Sequence, residues 1–512
     1  MPASGSKPVT ADSPSPRSIL AAVGFAVFIA ADDLTVVTTM LRPIINDLGV
    51  VLPDGLDDAA WVVNAYLIAF VAVMPIAGRL SDVFGRRRVF MWAYSLFVVG
   101  NVVIPLSSSL NMFLAGRVLT AAGGGAMVPV ALAVVGDVYP VERRTRTLGT
   151  LAAIETFGWV WGPLYGAVLI RFFNWQTQFW LNIPLSVVGM VWAYWALGGH
   201  TKPVRKLKVG WIGAGLLTAT LVTLDLGLLG DAEVQSVSGL EELRGTNGFD
   251  FWILLPLAAA VAAVFGWQQR RVSDPIFDRS LLTSRQALVA MAINVIVGAA
   301  LVVAMVDVPI FINAVEGDIK SAAVNSGWLL SSMTAAMALT SYAGGMLSEH
   351  HGYRGAIMAG LVIATVSYVA MAMTWDPDSS RASQAIMLGG LGAGLGMTIA
   401  PTTSAVVSAA RPTDRGSAAA SVMVMRLIGF SVGLAALTAW ALARFNALRS
   451  TIDLPPITDP NYQTVLMRSQ QELTADAITE TFLATAALTG VGLMIGGLFP
   501  KQHSNRPELA PR

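Results

Sequence analysis

The stretch Gly78-Arg79-Leu80-Ser81-Asp82-Val83-Phe84-Gly85-Arg86-Arg87-Arg88 breaks an apolar chain just after its second long hydrophobic run. Its spacing returns downstream as Gly345-Met346-Leu347-Ser348-Glu349-His350-His351-Gly352-Tyr353-Arg354. Glycine at 78 and 345 lets two helices approach with no side chain between them, and glycine at 85 and 352 permits a tight turn. An acid at 82 or 349 can offset the positive end of a neighbouring helix or pair with a basic residue across the loop, such as Arg86, Arg87 or Arg354. A loop that only sets topology needs Arg86 to Arg88 and nothing more. It explains neither the glycine and acid spacing nor the repeat. A cluster of this kind can hold two parts of a molecule together in one state and release them in another.

Working outward from that loop, 54% of the 512 residues are hydrophobic and 13% are charged, too little polar surface for a water-soluble globule. A membrane-spanning helix needs about 20 mostly apolar residues. The sequence predicts fourteen of them, from 18–41 to 479–499. Counted alternately, the loops at 86–88, 143–146, 202–208, 270–271 and 411–415 collect Lys and Arg on one side, which predicts the cytoplasm there. The opposite loops hold Asp47, Asp54, Asp57, Asp58, Asp231, Glu233, Glu241 and Glu242. The expected fold class is an all-α membrane protein built by internal duplication. Its order is a disordered cytoplasmic tail (1–17), a six-helix half (18–198), a linker with two extra spans (199–285), a second six-helix half (286–499) and a cytoplasmic tail (500–512). Residues 445–478 mix charged and apolar positions around Pro455, Pro456 and Pro460, which predicts an external helical hairpin before the last span.

Charges inside spans cost roughly 2.5–3.5 kcal/mol each by insertion estimates, so they are paired or functional. Asp32, Asp33, Arg117, Glu155, Asp225, Asp307 and Arg426 are such charges. Asp33 lies deep in the first span, where a carboxyl can load and release a proton or serve as a structural partner. Asp32 points about 100° away around the helix and fits packing or a second contact. Arg117 either joins a proton relay or snorkels to the interface. Glu155 and Arg426 sit on corresponding spans of the two halves and form either a central ion pair that tracks the switch between states, with Glu155 also a proton-coupling candidate, or two separate structural contacts. Gly158, Gly162, Pro163 and Gly166 make a small face with a break, suited to a hinge. Asp225, in an inserted span, reads as structural. The Gly389-to-Gly396 run lies inside an apolar span, so it reads as close packing, not a nucleotide loop.

Zero cysteines exclude disulfides and thiolate chemistry, and His200, His350, His351 and His503 fall in loops or a tail. No catalytic or metal constellation is expected, and no cofactor, the energy coming from a proton gradient, with sodium as the other candidate ion. A net charge of +1 argues against nucleic acid as a partner.

The motif G-x-L-x-D-x-x-G-R-R after the second span resembles the hallmark loop of the major facilitator superfamily. Gly116-Arg117 with Gly123-Gly124-Gly125 and Pro129, and Gly158-x-x-x-Gly162-Pro163-x-x-Gly166, resemble that family's Arg-bearing and exporter motifs. Asp33-Leu34-Thr35-Val36-Val37 and Trp175-x-x-x-Phe179-Trp180-x-Asn182-x-Pro184 resemble the fourteen-helix drug:proton antiporter branch. Within it, Val306-Asp307-Val308, Ala436-to-Trp440 and Arg444-Phe445-Asn446 are similar to mycobacterial triacylglycerol exporters that work with a lipid-carrying lipoprotein. The resemblance implies two six-helix halves plus two inserted helices and proton coupling through Asp33 and Arg117. It implies export of a hydrophobic lipid from the inner membrane by alternating access, with multidrug efflux as the alternative. Membrane lipids and a periplasmic lipoprotein are the implied partners. A scaffold that keeps the fold without transport would not need Asp33 or the Gly-Pro motif.

Overall fold

The computed structural model describes residues 14–49, 56–198, 210–229, 251–272, 275, 281, 283–316, 319–449 and 462–500. Residues 1–13 and 501–512 of the tails, the basic loop at 202–208, the acidic loop at 231–242 and the Pro-rich turn at 455–460 lie outside the described residues, as do the side chains of Asp57, Asp58, Pro163 and Asp225; the described end of the first tail, Pro16 and Arg17, already belongs to the first helix.

Among the described residues all regular structure is helical. The first group comprises α1 (Pro16–Asp47), α2 (Leu56–Phe84), α3 (Arg86–Val103), α4 (Leu110–Val138), α5 (Val141–Phe172) and α6 (Gln176–Ala196). Next come α7 (Trp211–Leu229) and α8 (Phe251–Arg271). A second group begins with α9 (Arg285–Glu316). The stretch Ile319–Thr374 breaks at Gly352 into α10 (319–351) and α11 (353–374). It ends with α12 (Arg381–Ala409), α13 (Arg415–Arg449) and α14 (Tyr462–Gly497). Serine hydroxyls begin four of these helices by accepting the otherwise unpaired amides of Ser18, Met112, Ala287 and Ser383 at 3.3, 3.4, 3.3 and 3.2 Å. Eleven described helical stretches are long and apolar enough to cross a bilayer, with Trp211–Leu224 a shorter apolar helix.

Gly85 and Gly352 take φ of 91° and 75°, the left-handed region that glycine alone enters without strain, so both copies of the motif turn the chain in the same way. The packing repeats with them. In the first group, Gly158 and Gly162 of α5 lie on α1 between Phe28 and Val36. In the second, Gly429 and Gly433 of α13 lie on α9 at Val295 and Ala299. Lipid tails are as apolar as leucine, so close contact between small residues, rather than water exclusion, holds such helices together. A buried aromatic trio fixes the far end of each group: Phe113, Trp175 and Phe179 in the first, Phe311, Trp375 and Phe482 in the second.

The two groups meet along two seams at the end that carries the basic loops. One joins α2 to α13 at Gly78 and Gly416; the other joins α5 to α10, where Gly345 faces the Thr145 carbonyl and Gly149 the Ser341 carbonyl. Tyr139 donates to the Pro16 carbonyl at 2.9 Å, which places the start of α1 at this end too. At the opposite end α13 continues to Arg449 and α14 starts at Tyr462, and Arg444 pairs with Glu480 at 2.7 Å across these helical arms.

A Cβ at position 78 would sit 2.5 Å from the Gly416 carbonyl oxygen, whereas one at Gly389 would meet nothing within 4 Å. Gly78→Ala is therefore expected to cost about 1–3 kcal/mol by overpacking, and Gly389→Ala to leave stability unchanged or raise it. Thermal midpoints of the detergent-solubilised variants compare the two directly; equal midpoints would mean that the α2–α13 approach does not hold the groups together.

Candidate transport site

Three sets of buried charges lie inside this frame. The first sits at the α2–α13 seam. Asp82, 1% exposed, takes Nη1 of Arg86 at 2.5 Å and also faces the N-terminus of α13, accepting from the Gly416 and Ser417 amides and the Ser417 hydroxyl, each at 2.9 Å. A helix N-terminus presents unpaired N–H groups and partial positive charge, which suit a carboxylate held with little water. Arg86 reaches on to Asp137 at 3.0 Å, which Arg415 meets from the other side at 3.0 Å, and Arg79 pairs with Asp414 at 3.1 Å. The chain of charges thus crosses from one group of helices to the other. Arg87 instead stacks on Tyr194, 3.6 Å from the ring centroid.

The second copy of the motif behaves differently. Gly345 and Gly352 repeat the backbone, but Glu349 is exposed and makes no ion pair among the described residues, and Arg354 is half-buried. The seam on the α5 side is closed by uncharged acceptors: Arg146 donates to the Tyr342 hydroxyl of α10 through Nε at 2.6 Å, and Thr145 meets Ser404 of α12 at 2.8 Å, which Tyr353 of α11 braces from within the second group at 3.1 Å.

The second set lies within the first group. Arg117, 1% exposed, donates Nη1 to Asp33 Oδ2 at 3.2 Å and to the Asp33 carbonyl at 3.3 Å, with Tyr66 stacked 4.0 Å beneath it. Asp33, fully buried, takes Asn182 Nδ2 on its other oxygen at 3.4 Å. Arg117 thus turns inward to α1. Asp32 accepts from Gln178 at 3.0 Å. The carboxylate and guanidinium of Asp33 and Arg117 can exchange partners when a proton arrives, because protonating the acid releases the base.

The third set is Glu155 and Arg426, both buried. Each stands three residues before the first glycine of the paired glycines on α5 and α13, so the two occupy matching places in the two groups. They are close enough to attract one another, but no direct ion pair joins them. Arg426 instead donates Nη2 and Nε to Asn294 Oδ1 at 3.2 and 3.3 Å. Asp307, also buried, takes the Thr481 hydroxyl across from α14. The α5 helix continues without interruption through Gly158, Gly162, Pro163 and Gly166. No group of three His, Cys, Asp or Glu suited to a metal is found among the described residues.

The sequence pattern of the Major Facilitator Superfamily matches residues 23–434, which takes in all three charge sets. The chain belongs to the major facilitator superfamily. It is similar to a triacylglyceride transporter of Mycolicibacterium smegmatis, 32% identical over 97% of this chain and 90% of that protein. A triacylglyceride transporter of Mycobacterium tuberculosis is 31% identical over 96% of both chains. Among solved structures, a human organic anion transporter aligns over 93% of this chain and 100% of its own, at TM-score 0.59 and 15% identity. A proton:xylose symporter aligns over 95% and 96%, at TM-score 0.62 and 10% identity. At those identities the likeness is one of fold. The chain is a multi-pass secondary transporter of this superfamily and not an enzyme.

Several partners escaped sequence reading: Asp137, Asp414, Arg415 and Ser417 in the seam, and Tyr66, Gln178, Asn182 and Asn294 around the buried charges. Gln178, Asn182 and Asn294 carried a usable signal, since uncharged amides inside apolar spans also need partners.

Asp82→Asn puts an NH2 group against the amides of α13. Breaking a buried pair costs about 3–5 kcal/mol, so the basic end should open more often. The chain has no cysteine, and Ser404→Cys places a single thiol in the closed seam. We expect its labelling rate in membranes to rise at least about tenfold in the Asp82→Asn background, tenfold corresponding to 1.4 kcal/mol; an unchanged rate would show that Asp82 does not hold the seam.

Proposed function

We propose that this transporter is a proton-coupled exporter of triacylglyceride or a closely related apolar lipid, working by alternating access in the cytoplasmic membrane. The observation that carries the reading is likeness along the whole chain, 96–97% of its length, to proteins named as triacylglyceride transporters. That span includes the helical arms before the last span. The α1–α6 and α9–α14 groups are read as two six-helix halves of a fourteen-helix transporter, with α7 and α8 as the inserted pair. By the positive-inside rule the basic end faces the cytoplasm, together with both termini. With both seams closed at that end, the arrangement belongs to a state open toward the outside.

In this reading the Asp82, Arg86 and Asp137 chain is the inner gate, Arg87 supports it through Tyr194, and the motif around Gly345, Glu349, Gly352 and Arg354 is its weaker counterpart. Asp33 and Arg117 form the proton-responsive cluster. Glu155 and Arg426 approach one another as the halves rock, and Gly158, Gly162, Pro163 and Gly166 supply the sliding face. The arms of α13 and α14, stapled by Arg444 and Glu480, project outward and are suited to receive an apolar lipid or to dock a lipid-carrying lipoprotein. The second reading, proton-coupled efflux of amphipathic drugs, is favoured by the exporter-type glycine motif of α5.

Expression in a mycobacterial host that lacks its own triacylglyceride transporter separates the two. We expect the native chain to restore labelled triacylglyceride to the outer envelope and lower its intracellular store. A protonophore or Arg117→Met should reduce that export at least about tenfold, the scale of losing one transition-critical contact. Unchanged lipid with lowered ethidium accumulation would instead establish drug efflux.

A further inference from the structure

Asp32 and Asp33 are adjacent on α1, yet their surroundings differ. Both oxygens of Asp33 are engaged, one by the Arg117 guanidinium at 3.2 Å and the other by the Asn182 amide at 3.4 Å. Asp32 is 5% exposed and forms no ion pair among the described residues. Its Oδ2 accepts from Gln178 Nε2 at 3.0 Å, while its Oδ1 is enclosed without a hydrogen-bond partner. The Gln178 Oε1 is enclosed and unpartnered as well. Two groups already in contact therefore each keep one orphaned acceptor, and buried acceptors without donors are rare. A single proton on Asp32 Oδ1 removes both defects. It turns that oxygen into a donor for Gln178 Oε1 and closes a two-bond ring between a carboxylic acid and a primary amide.

Among the described residues the neighbouring helices supply one cation, and it is already engaged. Facing the pair are Tyr66 on α2, Arg117 and Thr120 on α4, Tyr165 and the Gly162 backbone on α5, and Gln178 and Asn182 on α6. Glu155, farther along α5, is within reach of Arg426. Only Arg117 in this circle is positive, and Asp33 holds it. Two carboxyls and one guanidinium balance when one proton is bound, and in a water-poor site the balanced state is favoured. Removing the proton leaves the group of three with one uncompensated negative charge.

We propose that Asp32 is the residue that carries the transported proton, paired with the Gln178 amide, and that Asp33 is a positioning residue whose task is to hold Arg117. The inference rests on the proton-coupled reading above and reassigns the proton within it. The proton arrives from the outer side onto Asp32 Oδ1 and leaves from the same atom toward the cytoplasm, with no covalent change elsewhere.

Infrared difference spectra of the full chain in lipid nanodiscs, recorded across a pH step, test this without transport. One component of the protonated-carboxyl carbonyl band should be lost in Asp32→Asn and persist in the double variant Asp33→Asn with Arg117→Met, which removes the ion pair while conserving net charge; the other buried carboxyls, Asp307 and Glu155, are common to both variants. Asparagine at 32 reproduces the acid–amide ring with Gln178, so Asp32→Asn should keep its thermal midpoint. In proteoliposomes, lipid-driven proton movement should fall at least about tenfold in Asp32→Asn. A band that persists in Asp32→Asn and is lost in the double variant would overturn the assignment in favour of Asp33. Lipid movement by the native chain without any proton movement would sink the proton-coupled reading itself, and the carrier role of Asp32 with it.

Discussion

A charge enclosed among apolar helices persists only while donors or counter-charges surround it, and Asp82 shows how far that requirement shapes this transporter. Its carboxylate lies against the first amides of α13, so the start of that helix must stay where the carboxylate is. Glycine at 78 and 416 brings the two backbones close enough for this to happen. Asp137 then gathers Arg86 and Arg415, one from each side of the seam. Removing either group of helices would strand several charges at once. The closed basic end is therefore a cooperative arrangement rather than a sum of separate contacts.

The two groups share a plan but have diverged in charge. Glu155 and Arg426 hold matching places on α5 and α13 and carry opposite signs. A duplicated position of this kind can attract its counterpart only across the boundary between the groups, which ties local chemistry to their relative placement. The motif copies diverge too: Asp82 is buried and fully engaged, whereas Glu349 is exposed. One seam is thus held by ion pairs and the other mainly by hydroxyl contacts, so the two need not have equal strength.

Much of this organisation was legible in the sequence because it rests on local features. Glycine and acid spacing announced the two turns, apolar run lengths announced the helices, and the isolated charges at 33, 117, 155 and 426 marked the interior. Pairing was less legible. Arg117 could snorkel or turn inward, and only the rotation of α4 against α1 decides that it meets Asp33. Arg87 sits in the same basic run as Arg86 yet stacks on Tyr194, because successive residues on a helix point in different directions. Asp137 and Asp414 lie at helix ends, where an acid has many possible partners. Arg426 finds Asn294, an uncharged residue that sequence reading passed over.

The cluster of Asp32, Asp33 and Arg117 has a consequence for the electrical side of transport. With one proton bound it carries no net charge; without that proton it carries one negative charge. An electric field across the bilayer exerts no net force on the neutral form and does work on the charged one, about 2.3 kcal/mol for a unit charge crossing 100 mV. Voltage would therefore act on the unloaded cluster and leave the loaded one nearly untouched. One half of the working cycle would respond to membrane potential, while the other would depend on proton concentration alone.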